Sequence, residues 1–452
     1  MDFITQYAGM GWDGLIDFVI PFIIILSILV FVHEWGHYIV ARMCGVKVDK
    51  FSIGFGPEIW GFNDRAGTRW KLSIIPLGGY VQMFGDTDPS SSTSKYEITE
   101  GEDKRPMSAA ELDQAFFTKP VWQRALIVFA GPAINFIFAI LLLMGLYMAV
   151  GKPVSPPVAS AVIIEGAADM AGIEPRDRIV SIDGKSIESF SDIQRQVAIS
   201  LDRPLDLMIE RDGAEMALSV TPTMEQLEDR FGFSHSRGLI GVMSTEQGIA
   251  LDSLKTINGR DVTDLSESQL SSNVQAIINT DATIGLPSGD EIQELKVVIA
   301  SVNDGEIFLS NLENGKEIVS YSPVEAMVGA VKETGFIITG TLEALGQIVT
   351  GTRPVTELGG IVRIGAIAGD AAQAGLIAMI TFTALLSINL GLINLFPIPL
   401  LDGGHLVFYA YEALFGKPMS EKVMDYALKF GMVFLVCLMA FANLNDIVQI
   451  FL

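Results

Sequence analysis

Four stretches of this chain are apolar enough to cross a membrane. Residues 371–401, 125–151 and 430–445 contain no charged side chain, and residues 18–41 contain no Lys, Arg or Asp but include His33, Glu34 and His37. About 20 apolar residues span the hydrocarbon core of a bilayer. The sequence therefore predicts a polytopic α-helical membrane protein with about four transmembrane helices.

The charge lies outside these stretches. Half of the residues are hydrophobic and 18% are charged, yet 53 acidic against 30 basic residues give a net charge of −23. Residues 151–325 hold 29 acidic and 13 basic residues. The acidic balance argues against a nucleic-acid partner, and the apolar content excludes a disordered chain. Two cysteines, Cys44 and Cys437, are too few for a disulfide framework.

The basic residues predict the orientation in the membrane. None precedes Arg42, eleven lie between residues 42 and 124, and three lie between residues 417 and 429. Cytoplasmic loops carry an excess of Lys and Arg. We therefore expect both loops on the cytoplasmic side, with the N-terminus and residues 152–325 on the outer side.

The outer segment has the pattern of β-rich modules. Residues 178–184, Arg-Ile-Val-Ser-Ile-Asp-Gly, predict a strand followed by an Asp-Gly turn. This resembles the bacterial PDZ-domain signature, although Arg176 stands where that family usually has Gly. We predict a PDZ domain over residues 152–237, which binds a peptide or serves as a spacer. Residues 238–325, with a similar Ile-Asn-Gly turn at 257–259, predict a second, degenerate PDZ-like module.

Residues 326–370 follow a different pattern. Apolar side chains recur at helical spacing over residues 326–350, but Lys332, Glu333 and Glu343 disfavour a membrane span. We expect an amphipathic helix on the outer membrane surface. The remaining domains are then residues 1–151, with the first two spans, and residues 371–452, with the last two.

The first span carries a His-Glu-Trp-Gly-His sequence. His33 and His37 share one helix face, so both imidazoles can bind one metal, and Glu34 lies close enough to act as a general base. Ionisable groups inside a membrane cost about 2.5–3.5 kcal/mol each on insertion scales. A metal site, rather than two buried structural histidines, accounts for three such groups within five residues.

A catalytic zinc site needs three protein ligands and an open position. Asp402 follows two prolines, Pro397 and Pro399, that break the third span at its cytoplasmic end. We predict Asp402 as the third ligand, with a simple turn residue as the alternative. His405 is the other histidine nearby and a competing ligand.

Together these motifs resemble the site-2 protease family, within it the bacterial regulator-of-sigma-E protease branch. The resemblance rests on the HEWGH sequence and on residues 389–403, Asn-Leu-Gly-Leu-Ile-Asn-Leu-Phe-Pro-Ile-Pro-Leu-Leu-Asp-Gly. Residues 130–135, Ala-Gly-Pro-Ala-Ile-Asn, and residues 76–81, Pro-Leu-Gly-Gly-Tyr-Val, match two further motifs of the branch. The resemblance implies an intramembrane zinc metalloprotease of the bacterial inner membrane.

The resemblance also implies the substrates. They are single-pass membrane proteins that another protease has trimmed, such as anti-sigma factors, together with signal-peptide remnants. The PDZ modules would exclude bulky, untrimmed substrates. Oligomeric state is open.

Two groups of residues are candidates for substrate binding. Asn394 lies eight residues before Asp402 and is expected to hydrogen-bond the substrate backbone or the oxyanion. Residues 71–75 and 80–83 flank a turn at 76–79 and predict a hairpin whose edge, at Gly78, Gly79, Tyr80 and Val81, pairs with an unwound substrate. A plain cytoplasmic turn is the alternative.

Other classes of protein remain compatible with parts of the sequence. One is a metal carrier, and another is a membrane scaffold with a peptide-binding PDZ module and no proteolysis. Glu34 disfavours a carrier, which needs no general base beside its histidines.

Overall fold

Helices form where the sequence predicts membrane segments. The computed structural model of the chain describes residues 15–85, 97–100, 103–244, 249–289, 291–303, 305–309 and 317–451. The α-helices are α1 (Ile20–Met43), α2 (Ala109–Gln114), α3 (Val121–Val150), α4 (Ala167–Met170), α5 (Phe190–Ile199), α6 (Glu267–Gln275), α7 (Pro323–Thr350), α8 (Ile361–Gln373), α9 (Leu376–Asn394), α10 (Asp402–Phe415) and α11 (Glu421–Phe451).

Strands occupy the two regions between the first and third spans. They are β1 (Val48–Asn63), β2 (Arg69–Met83), β3 (Glu97–Glu100), β4 (Asp103–Pro106), β5 (Lys152–Val154), β6 (Ala161–Ile163), β7 (Arg178–Ile182), β8 (Lys185–Ser186), β9 (Leu205–Arg211), β10 (Ala214–Val220), β11 (Thr223–Glu228), β12 (Ser234–Leu239), β13 (Val242–Met243), β14 (Ile249–Ala250), β15 (Thr256–Ile257), β16 (Arg260–Asp261), β17 (Asp281–Ser288), β18 (Glu291–Val298), β19 (Ser301–Asn303), β20 (Glu306–Phe308) and β21 (Glu317–Val319).

Within the described residues, four helical segments are long and apolar enough to cross a membrane, as the sequence predicts. They are Asp17–Met43, Val121–Val150, Leu376–Asn394 and Glu421–Ile450. The third is shorter than the predicted 371–401, because Gly375 at φ 104° separates α8 from α9 and the helix ends before the two prolines. The fourth extends beyond the predicted 430–445 at both ends. The predicted position of the N-terminus concerns residues 1–14, which lie outside the described residues.

Helix α3 packs between α1 and α9. A Cβ atom at Gly36 of α1 would lie 2.4 Å from the Ala130 carbonyl oxygen of α3, so only glycine permits this close approach. On the other side of α3, the Ser387 hydroxyl of α9 donates to the Asn135 carbonyl at 2.8 Å. The three helices therefore meet at one level of the bundle.

Strands β1 and β2 form a curled sheet beside α1. Phe51 of β1 pairs with Trp70 near the start of β2 and also with Val81 near its end. The expected hairpin between residues 71–75 and 80–83 is therefore wrong in its pairing. Both arms pair with β1, on its two edges, because an antiparallel strand can hydrogen-bond a partner on either side.

The β-rich region repeats one order of elements. The series β7–β8–α5–β9–β10 is followed by β15–β16–α6–β17–β18. In each series a two-residue turn joins the first two strands, at Asp183-Gly184 and at Asn258-Gly259, and both residues of each turn have positive φ. This is the turn that Asp-Gly and Asn-Gly favour. The two predicted modules thus share a supersecondary plan.

Strand β6 joins the two modules. It lies between β13 and β18 in a six-stranded sheet, so a strand near the start of the first module pairs with a strand of the second. The predicted boundary at residue 237 falls too early, because Ile240 is buried in the first module's core.

The predicted 326–370 region contains α7, which covers the stretch 326–350 where a helix is expected, and a second helix, α8. Helix α7 buries Ala326 and Ala330 in a core shared with Ala139 and Leu143 of α3. The Asp446 carboxylate of α11 lies at the start of α8. Its Oδ2 accepts hydrogen bonds from the backbone amides of Gly360 and Arg363, each 2.9 Å long. Placement of α7 on the membrane surface stays a prediction.

Candidate active site

The two histidines of the first span bring their Nε2 atoms close together. His33 and His37 lie one turn apart on α1, and their Nε2 atoms are 3.3 Å apart. Nδ1 of His37 lies 2.9 Å from the Ile127 carbonyl oxygen, which can only accept. Nδ1 therefore carries the proton, and Nε2 of His37 keeps a free lone pair. Both rings are almost fully buried.

Asp402 reaches the same point from the other end of the chain. It is the first residue of α10, after an irregular segment, residues 395–401, in which Leu400 has φ 85°. Its Oδ2 lies 3.2 Å from His33 Nε2, and its Oδ1 lies 3.6 Å from His37 Nε2. Two imidazole nitrogens and a carboxylate therefore converge, so the structure brings the three predicted ligand residues together.

Two glycines allow the irregular segment to fold back on α10. A Cβ at Gly403 would lie 2.3 Å from the carbonyl oxygens of Leu395 and Phe396, and one at Gly404 would lie 2.4 Å from that of Ile398. The Asp-Gly-Gly sequence is therefore a packing requirement as well as a ligand motif.

Helix α3 supplies the wall behind the imidazoles. A Cβ at Gly131 would lie 2.3 Å from His37 Nε2 and 2.9 Å from His33 Cε1. One turn further, the side chain of Asn135 places Nδ2 3.1 Å from His33 Nδ1. The sequence alone predicts no role for either residue. A buried Asn in an otherwise uncharged span was the available signal, since such a polar group needs a partner.

Glu34 lies between the cluster and strand β2. The Val81 amide donates a hydrogen bond to the Glu34 carboxylate. A Cβ at Gly79 would lie 3.0 Å from Glu34 Cγ. Two of the predicted substrate-binding residues, Gly79 and Val81, are thus in contact with the predicted base.

The other predicted substrate-binding residues lie on the same strand and at the end of α9. The Tyr80 ring stacks on Phe55, with centroids 6.3 Å apart, and Gly78 adopts φ 124° beside the same ring. Asn394 is the last residue of α9, immediately before the irregular segment that leads to Asp402.

The side chains fit a bound divalent metal. His33, His37 and Asp402 each offer a ligand atom, and these atoms lie within 4.8 Å of one another. Asp402 Oδ2 is buried and accepts no hydrogen bond from the described residues, which leaves it free to coordinate. Nitrogen and carboxylate ligands in a set of three are typical of catalytic zinc sites. His405 is not part of this cluster among the described residues.

A His-Glu-x-x-His sequence on one candidate membrane helix, joined by an aspartate that follows another, defines a membrane-embedded metallopeptidase. Residues 21–438 match the model of peptidase family M50, and the chain belongs to that family. A protein of Agrobacterium fabrum named "Putative zinc metalloprotease" is 39% identical over 443 residues, which cover 98% of each chain. The regulator of sigma E protease of Haemophilus influenzae is 32% identical over 469 residues, covering 95% of this chain and 98% of that relative.

Proposed function

We propose that this peptidase is an intramembrane zinc metalloprotease in which His33, His37 and Asp402 hold the metal and Glu34 is the general base. The convergence of three ligand atoms within 4.8 Å, from segments more than 360 residues apart, carries the proposal. The zinc metalloprotease name of the Agrobacterium relative supports the choice of metal.

The residues suit hydrolysis of a peptide bond. Zinc at such a site lowers the pKa of a water molecule and polarises a carbonyl group. Glu34 takes a proton from the attacking water as the new C–O bond forms. It returns that proton to the nitrogen of the leaving amine as the C–N bond breaks. The Val81 amide, which interacts with the Glu34 carboxylate, would help to hold it beside His33 and His37.

Strand β2 is the proposed site of substrate pairing. A helical substrate hides its carbonyl groups in its own hydrogen bonds, so a segment must unwind before it is cleaved. Residues 78–81 run past Glu34, and an extended segment added at this edge would present its backbone to the base. Asn394, at the end of α9, is proposed to donate its side-chain amide to the substrate backbone.

The substrate class follows from the family and the outer region. We infer that single-pass membrane proteins trimmed by another protease are cleaved, anti-sigma factors and signal-peptide remnants among them. One relative is named a regulator of sigma E protease, which supports this class. The repeated β modules are proposed as tandem PDZ-like domains that exclude untrimmed substrates. We place the protein in the bacterial inner membrane, with these modules in the periplasm and the metal ligands toward the cytoplasm.

Two substitutions separate this proposal from a metal carrier or scaffold. Asp402→Ala should lower zinc content sharply in the purified full chain, measured by elemental analysis. Glu34→Gln should keep zinc, because Gln preserves the shape and the bond from Val81, but should abolish cleavage of a membrane-spanning peptide. Normal cleavage by Glu34→Gln would remove Glu34 from the mechanism. Normal zinc in Asp402→Ala would remove Asp402, and His405 would be tested next.

A further inference from the structure

Asn135 is an unusual residue for the middle of a membrane helix. It lies in α3, its side chain is fully buried, and its Oδ1 has no hydrogen-bond partner among the described residues. A buried amide oxygen without a partner costs free energy, and the apolar surroundings of a span offer no water to replace it. The peptidase mechanism proposed above does not use this residue.

The neighbour of this amide is the ring nitrogen of His33 that faces away from the metal ligands. Asn135 Nδ2 lies 3.1 Å from His33 Nδ1, and His33 Nε2 lies 3.2 Å from Asp402 Oδ2. A neutral imidazole carries one proton, on one of its two nitrogens. If Nδ2 of Asn135 donates to Nδ1, the proton must sit on Nε2, where it blocks coordination.

A half-turn of the carboxamide frees the metal-facing nitrogen of His33, and the unpaired position then holds Nδ2 instead of Oδ1. The turn exchanges Nδ2 and Oδ1, which are nearly the same size, without moving the backbone. Oδ1 then accepts the Nδ1 proton of His33, so the orphaned oxygen gains a partner and Nε2 presents a lone pair. His37 already has this arrangement, because its Nδ1 faces the Ile127 carbonyl at 2.9 Å.

We propose that Asn135 is a positioning residue for the metal: its Oδ1 accepts the Nδ1 proton of His33 and fixes the tautomer that coordinates through Nε2. The inference rests on the proposed ligand role of His33. Metal-bound histidines generally donate their second N–H to an oxygen acceptor, and loss of that acceptor typically weakens metal affinity 10- to 100-fold.

Three variants of the full chain in detergent test the proposal, with zinc competed against a chelator of known affinity. Asn135→Leu replaces the carboxamide with an apolar side chain of similar size and so removes the acceptor. Zinc affinity should then fall about 10- to 100-fold. Asn135→Asp restores an acceptor for Nδ1–H, and affinity should return to within about threefold of the wild type. Ser387→Ala removes a different buried bond, the one to the Asn135 carbonyl, and should leave zinc affinity unchanged.

The outcomes separate this proposal from the assignment of the ligands. His33→Ala is the reference: if it retains zinc, the ligand assignment itself is wrong. If His33→Ala loses zinc but Asn135→Leu binds it normally, Asn135 has no positioning role. Equal loss in Asn135→Asp and Asn135→Leu, or an equal loss in Ser387→Ala, would mean that the site responds to packing and not to the acceptor.

Discussion

Replacing Gly131 with alanine should damage the metal site by crowding alone. The new Cβ would lie 2.3 Å from His37 Nε2, whereas ordinary contacts lie at 3.4–4 Å, so the ring must retreat by about 1 Å. The bond from Nδ1 to the Ile127 carbonyl opposes that movement. Metal–ligand distances tolerate deviations of about 0.2 Å. Overpacking costs about 1–3 kcal/mol, and if this strain falls on the loaded site, zinc affinity drops by about 5-fold to 140-fold.

Gly145→Ala is the matched control for this substitution. It lies in the same helix, and a Cβ there meets nothing within 4 Å. Both variants gain the same helix propensity, about 1 kcal/mol. Zinc affinity and cleavage of a membrane-spanning peptide should therefore fall for Gly131→Ala and stay unchanged for Gly145→Ala. Wild-type zinc affinity in Gly131→Ala would refute the packing argument, since the ring would then have room that the structure does not provide.

Three further changes probe other parts of the molecule. Val81→Pro removes the N–H that donates to Glu34, so cleavage should fall at least tenfold while zinc content stays normal; unchanged cleavage would contradict a role for this bond. Replacing residues 155–316 with an Asn-Gly turn should keep β5 and β21 paired, since Val154 and Glu317 are register partners, and untrimmed substrates should then be cleaved; continued discrimination would exclude a filtering role. A hydrogen bond from Lys296 holds the pKa of Asp169 below its usual value. The resulting stabilisation exists above about pH 4 and disappears as the pH falls through the lowered pKa. The difference in unfolding temperature between wild type and Lys296→Met should therefore shrink below about pH 4, and a constant difference would show that the ion pair is irrelevant.

The sequence predicts the ligands of the metal cluster because each ligand is marked by a short local pattern. Two histidines four residues apart must share a helix face, and two prolines must end a helix before Asp402. Gly131 and Asn135 could not be given roles in the same way. Their importance depends on which face of α3 meets α1, and an uncharged span has no polar periodicity that reveals its packing face.

The strand pairings were predicted less well for a related reason. A local pattern shows that residues 71–75 and 80–83 are extended, but not which chain segment occupies each edge. The pairing of Phe51 with both Trp70 and Val81 depends on contacts distant in sequence. Turns were predictable, because positive φ at Asp183 and Gly184 is a property of two adjacent residues.

The shared strand β6 sets how the outer region responds to force. It pairs with Val242 and Met243 on one side and with Leu295, Lys296 and Val297 on the other. Because this sheet connects the two modules, we expect them to move as one rigid unit rather than independently. Cutting the chain between the modules would leave an open sheet edge, which invites self-association. A truncated first module is therefore expected to aggregate in solution, whereas residues 152–322 expressed as one piece should remain monomeric.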